Sequence, residues 1–243
     1  MADPFPHIVP LGDAAVLAEF SQYLDLAVNA RIQQLATRIR SRSVPWIRDV
    51  VPALGSLALY FDLTQFSPGT SPPSPLEAAT ALIQNCLDHP RADAEAEAPR
   101  VEVPVCYAAE MAPDLADVAA RCRLAAEEVI ALHCASQHRV LMVGFVPGHP
   151  YIGGLDPALA VPRRATPRPK VVAGSIAIAN AQTVVYPFTT PGGWNIIGRT
   201  PLRVFDAARE SPALFAPGQR VQFVAISGER YEAIARTAGG EQP

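Results

Sequence analysis

The sequence predicts two domains in series, a small α+β sandwich and a mainly-β barrel. Three observations carry that prediction. Helix and strand periodicities alternate over residues 8–89, a short charged stretch poor in large apolar residues follows at 90–99, and beyond residue 139 the pattern turns into many short apolar runs punctuated by glycine and proline.

In the first domain, 1–89, residues 14–20 read as a strand. Val28, Ile32, Leu35 and Ile39 then recur at helical spacing and place one apolar stripe on a helix. Residues 47–54 and 56–62 read as two strands joined at Gly55, and Ser74, Pro75 and Glu77 announce a further helix. A serine three residues ahead of a glutamate, with proline at the first helical position, is a capping box. Leu76, Leu82, Ile83 and Cys86 are expected to face inward. The β-α-β-β-α order suits a small sandwich. The stretch PRADAEAEAP, 90–99, has the composition of a linker between two cores.

The second domain, 100–243, opens on a strand at 101–107. Asp114 reads as the cap of one short helix, and 126–135 as a second helix. Strands are expected at 140–146, 171–179, 183–188, 194–197, 202–205 and 220–226. Many short strands separated by turn residues argue for a closed barrel.

Composition narrows the function. With 49% hydrophobic and 18% charged residues, the 243-residue chain can bury a sizeable core. A net charge of −3 gives no basic face of the kind that nucleic acid or an anionic membrane requires. The N-terminus has no basic-then-apolar leader, and no apolar run is long enough to span a bilayer, so a cytoplasmic location is expected. Four cysteines without a C-x-x-C pair read as reduced thiols rather than a zinc site, and no metal is expected. Lys170 is the only lysine and lies between Pro169 and Val171, so there is no G-K-[ST] phosphate loop. The chain also lacks a G-x-S-x-G elbow and an H-E-x-x-H pair. No catalytic residue can be named, and self-contained hydrolysis is not expected.

The information concentrates in 144–202. That segment holds eight of the fifteen glycines and nine of the twenty-five prolines, which force the backbone into tight turns and close approaches. It also carries Arg163, Arg164, Arg168, Lys170 and Arg199 against one acid, Asp156, a local balance of +4 in a chain whose total is −3. Such a field suits an anionic ligand gripped by guanidinium forks, and equally a solvated loop with scattered ion pairs. Arg163, Arg168 and Arg199 are the candidate anion clamps, provided that their loops converge. Gln182, Thr183 and Tyr186 are expected at the barrel mouth as polar groups for a small substrate, or alternatively as a hydrogen-bonded strand edge. The PGGWN turn, 191–195, lets backbone N–H groups approach a ligand, with Asn195 beside them and Trp194 read as packing.

The run GFVPGHPYIGGLDPALAVPRRATPRPKVVAGSIAIANAQTVVYPFTTPGGWNIIGRTPLRVFD resembles the signature of the KipI family, the B-type component of 5-oxoprolinase (PxpB), also called allophanate hydrolase subunit one-like. VEVPVCY, EEVIALH, LGDAAVLAEF and VVPALGSLALYFD resemble it too, so the resemblance covers nearly the whole chain. It implies a cyclophilin-like barrel in the second domain. It also implies work alongside two partners, a homologous barrel protein of the KipA or C type and an A-type component. Together they would open 5-oxoproline to glutamate, with ATP shared among the components and no covalently bound cofactor. Other members of the family imply two alternatives, half of a biotin-dependent urea carboxyltransferase domain or an inhibitor of a histidine kinase.

The sequence departs from the usual family pattern at His149, where many relatives carry an aromatic, at Val184-Val185, where Gly-Ile is common, and at Ala108-Ala109, where paired glycines are frequent. His149 beside Tyr151 reads as a polar stacking substitute. A catalytic role for it would be a specialisation of this protein.

Overall fold

The computed structural model describes residues 6–66, 74–89 and 100–237, and the chain divides into two compact units, Met1–Ala96 and Glu97–Pro243. The 90–99 stretch read as a linker lies outside the described residues.

The first unit is a four-stranded antiparallel sheet, β1 (His7–Pro10), β2 (Ala15–Glu19), β3 (Ile47–Pro52) and β4 (Ser56–Phe61), in the order β1-β2-β4-β3. Helices α1 (Leu26–Ser41) and α2 (Pro75–Asp88) complete it. The expected stripe is real: Ile32, Leu35 and Ile39 are buried in α1 against Val16, Leu57, Leu59 and Ile83. Asp25 caps α1 by accepting from Ala27 and Val28. The capping box of α2 forms as expected, Ser74 N–H donating to Glu77 Oε2 at 2.7 Å. Leu76 does not face inward: at the first turn it is exposed, while Ala79, Ile83 and Cys86 fill the core. Strand β1 was not expected. It is four residues long and pairs in register with β2, His7 opposite Glu19 through Pro10 opposite Val16.

The second unit is a closed seven-stranded barrel. Its strands are β5 (Arg100–Cys106), β6 (His138–Val143), β7 (Pro150–Gly153), β9 (Ser175–Ala179), β10 (Gln182–Val185), β12 (Asn195–Arg199) and β13 (Arg220–Ile226), in the order β10-β7-β6-β13-β5-β12-β9. A separate two-stranded ribbon pairs β8 (Arg168–Val171) with β11 (Thr190–Gly192). Helices α3 (Leu115–Cys122), α4 (Ala126–Ala135) and α5 (Gly228–Thr237) complete the unit. The chain is thus a mixed α+β protein with a closed barrel. Among the described residues no helix is long and apolar enough to cross a membrane, and all four cysteines are free thiols.

Two expected strands changed. Residues 171–179 split into β8 and β9 because Gly174, at φ +79°, turns the chain from the ribbon into the barrel wall. Residues 202–205 form no strand, only an isolated bridge between Phe205 and Ala213.

Side chains alternate across the barrel wall. Ile176, Ile178, Val185, Ile197 and Phe223 fill the interior, whereas Ala177, Ala179, Val184 and Ile196 form a second apolar patch with Val171, Tyr186 and Trp194 on the other face. The wall is therefore buried on both sides where the glycine- and proline-rich segment folds over it.

Candidate functional site

The site is built on that outer patch. Tyr151 from β7 lies opposite Val184 of β10 and packs against the patch. Its ring meets His149 at 5.1 Å and Trp194 at 6.2 Å, both edge-on. Tyr186 meets His149 at 5.3 Å, and Phe145 meets it from a third side at 5.6 Å. Phe145 is 69% exposed and sits at φ +79°, a left-handed conformation that is rare for an aromatic residue. Gly192 has to be glycine: a Cβ there would stand 2.3 Å from the Tyr186 hydroxyl.

His149 is 3% exposed, and its Nδ1 has no hydrogen-bond partner. Burial alone pushes its pKa down to about 4, so at neutral pH the ring is uncharged. Burial likewise raises the Tyr186 phenol to about 12, with Tyr151 adding to the shift and Arg163 opposing it. Both groups are neutral, so formal charge at the site comes from the arginine loop.

That loop, 162–168, is pinned at several points. Asn195 donates from its side-chain amide to Pro162 O at 2.9 Å and Ile178 O at 3.1 Å, and Arg164 N donates to Gly193 O at 2.8 Å. Arg168 donates in bidentate fashion to Asp114, both bonds at 2.7 Å, and Arg164 donates to the same carboxylate at 2.6 Å. Asp114 accepts a fourth bond from Ile196 N at 2.7 Å. Asp114 does precede α3, as read from the sequence, but its side chain does not cap that helix. The carboxylate, 2% exposed, is turned instead to the two guanidinium groups, whose demand for a buried counter-charge exceeds what a helix N–H offers.

Between the pinned residues, Arg163 stays exposed, and its guanidinium lies 5.2 Å above the Trp194 ring. Among the described residues it forms no ion pair. Of the three expected clamps, then, Arg163 is available to a ligand and Arg168 is engaged by Asp114. Arg199 lies at the far end of β12 from Asn195, donating to Ala173 O. Trp194 packs as expected and also carries the arginine.

Thr183 was expected at the mouth but is turned the other way. Wholly buried, its hydroxyl stands 3.3 Å from Nε2 of His133, whose Nδ1 meets the Tyr107 hydroxyl at 2.8 Å. The alternation that sends Val184 outward sends Thr183 inward. Gln182 is buried at the start of β10, with its Nε2 unpartnered. The structure thus brings together His149, Tyr151, Tyr186 and Arg163, makes Arg168 and Asn195 the tethers of the loop, turns Thr183 to His133 and bonds Arg199 to Ala173 O. Sequence reasoning missed Asp114 as a site residue. The one signal for it was a basic loop with too few local acids to neutralise it. Among the described residues no group of three or more His, Cys, Asp or Glu side chains could hold a metal ion.

Residues 6–215 match the family described as carboxyltransferase domain, subdomain C and D. The chain is 38% identical over 230 residues to the B-type subunit of 5-oxoprolinase from Bacillus subtilis, an alignment covering 93% of this chain and 95% of that one. The crystal structure of TTHA0988 superposes with a TM-score of 0.74 at 36% identity, over 88% of this chain and 40% of that longer one. Urea carboxylase of Kluyveromyces lactis, at 17% identity and a TM-score of 0.69, covers 98% of this chain and 23% of its own, a likeness of fold alone.

Proposed function

The chain belongs to the carboxyltransferase-domain family, subdomains C and D, and from that premise we propose that it is the B-type component of a multi-subunit 5-oxoprolinase. In this reading it opens 5-oxoproline to glutamate in the cytoplasm with a homologous barrel protein and an A-type component, at the expense of ATP, and its barrel is of the cyclophilin-like kind. The observation that carries the reading is the nearly end-to-end likeness to a chain named as that component of 5-oxoprolinase. The geometry suits it. The substrate of that reaction is a small ring with one carboxylate and one uncharged amide, and the site offers a held guanidinium, Arg163, beside an uncharged wall of Tyr151, Tyr186, Trp194 and His149.

Each group then has a task. Arg163 takes the carboxylate, and the loop tethers at Asp114 and Asn195 fix where that charge sits before the substrate arrives, so little ordering is left for binding. The aromatic faces receive the ring and exclude water from it. In this reading the chain's part is to bind and orient.

ATP enters as a substrate of the assembly. Arg164 and Arg168 are occupied by Asp114, and Lys170 sits in no phosphate loop, so a triphosphate requires groups from a partner protein. A second reading, half of a carboxyltransferase, is favoured by the family description itself. The test is to co-express the chain with its partners and follow ATP-dependent glutamate formation, omitting each component in turn. Activity lost on omitting this chain supports the reading. A well-assembled complex without activity, but with biotin-dependent carboxyl transfer, replaces it with the second.

A further inference from the structure

Three aromatic rings enclose His149: Phe145 at 5.6 Å, Tyr151 at 5.1 Å and Tyr186 at 5.3 Å, each steeply inclined to it. In such a box a fourth hydrocarbon ring would be at home, and a nitrogen is out of place. Leaving a buried polar atom without a partner is costly, and native structures rarely do so without a reason. Nδ1 of His149 is such an atom. The other orphaned histidine nitrogen of the barrel, Nδ1 of His138, is a different case. Its ring is anchored through Nε2 to His133 O at 2.9 Å, and the Gly153 backbone also steadies its charged form. His149 has no such support, and burial alone sets its behaviour.

We infer that Nδ1 of His149 is a substrate-recognition contact, a hydrogen-bonding position reserved for the uncharged amide edge of the ligand whose carboxylate goes to Arg163. The inference rests on the 5-oxoprolinase reading and adds a residue that determines specificity. The ring is neutral, so it is matched to an amide and not to an anion. It can offer Nδ1 as donor or acceptor, depending on the tautomer. Its ring lies edge-on to Tyr151 and Tyr186, the two phenols of the same site. A purely apolar wall would accept a cyclopentane carboxylate nearly as well as a lactam, whereas a buried nitrogen that only the amide can satisfy rejects the hydrocarbon.

Two variants in the full co-expressed complex separate this role from packing. His149→Phe keeps the aromatic box and removes the nitrogen; His149→Asn gives up the ring but keeps a neutral polar group near the Nδ1 position. For a recognition contact, KM for 5-oxoproline rises about tenfold in H149F with kcat within about twofold, and stays within about threefold of wild type in H149N. A packing role gives the reverse order, with H149F silent and H149N impaired, and that result overturns the inference. If H149F does not assemble, H149N decides alone: a KM raised more than about threefold overturns it. A wild-type complex with no turnover of 5-oxoproline defeats the underlying reading and the inference together, whereas an active complex indifferent to H149F defeats the inference only.

Discussion

Two of the three buried histidines of the second unit, His133 on α4 and His149 ahead of β7, are in opposite condition. His133 is wholly buried and has both nitrogens engaged, with the Tyr107 and Thr183 hydroxyls, while its ring stacks on Phe223 at 4.4 Å. His149 is almost as deeply buried and has its Nδ1 unpartnered. The same contrast recurs among the charges. Asp114 accepts four hydrogen bonds, whereas Arg163 lies over an aromatic ring and, among the described residues, has no ion pair. At the site, then, the Asp114 carboxylate is saturated, whereas Nδ1 of His149 and the guanidinium of Arg163 are not.

The contrast can be broken most forcefully at Asp114. Asp114→Ala leaves two guanidinium groups without their shared counter-charge and Ile196 N without its acceptor. The expected loss is about 3–5 kcal/mol of barrel stability, read from urea denaturation. A loss under about 1 kcal/mol would mean that the loop is held by something else.

Acid tests the buried histidines at once. His133, His138 and His149 all have folded pKa values lowered by burial, so the unfolded chain binds their protons first. Their contribution is intact above the unfolded pKa of about 6.5 and is lost as pH falls from there toward the folded values. Stability should be lower at pH 5.5 than at pH 7, with about 1 kcal/mol of the difference due to His149, whose folded value is about 4, and H149F should remove that share.

Arg163→Gln sharpens the other half of the comparison. It should leave stability unchanged while raising KM for an anionic substrate about tenfold in the assembled complex. A fall in stability instead would make Arg163 one more tether. Tyr107→Phe deprives His133 Nδ1 of its partner. It should cost about 1–2 kcal/mol in the same denaturation measurement and leave kcat and KM alone.

How much of this was legible in the sequence depended on the range of the interaction. Helix α4 (Ala126–Ala135) and strand β13 (Arg220–Ile226) were read with their observed bounds, and the α2 capping box to the residue, because periodicity and capping are local. Strands of three or four residues, such as β1, β7 and β11, are too short to show a period. The facing of Thr183 was unreadable for another reason. All four residues of β10 are buried, so alternation carries no label for inside and outside. Asp114 looked like a cap because Ser, Thr, Asn or Asp ahead of a helix always does. Its true partners lie 50, 54 and 82 residues away. Of the candidate site, the aromatic and arginine motifs were visible, while the division between tether and clamp was a property of the folded loop.

The parallel pairing of β5 with β13 runs over seven residue pairs, from Arg100 opposite Arg220 to Cys106 opposite Ile226. The barrel is therefore sealed by strands from opposite ends of its own sequence, and this has a consequence in time. During synthesis the intervening strands can emerge, and hairpins such as β9-β10 can form, but the cylinder stays an open sheet with a bare edge on β5 until β13 has left the ribosome. The polar groups of its interior stay within reach of water over that interval. A chain stalled or cut before residue 220 would expose an unpaired strand edge of the kind that recruits other chains.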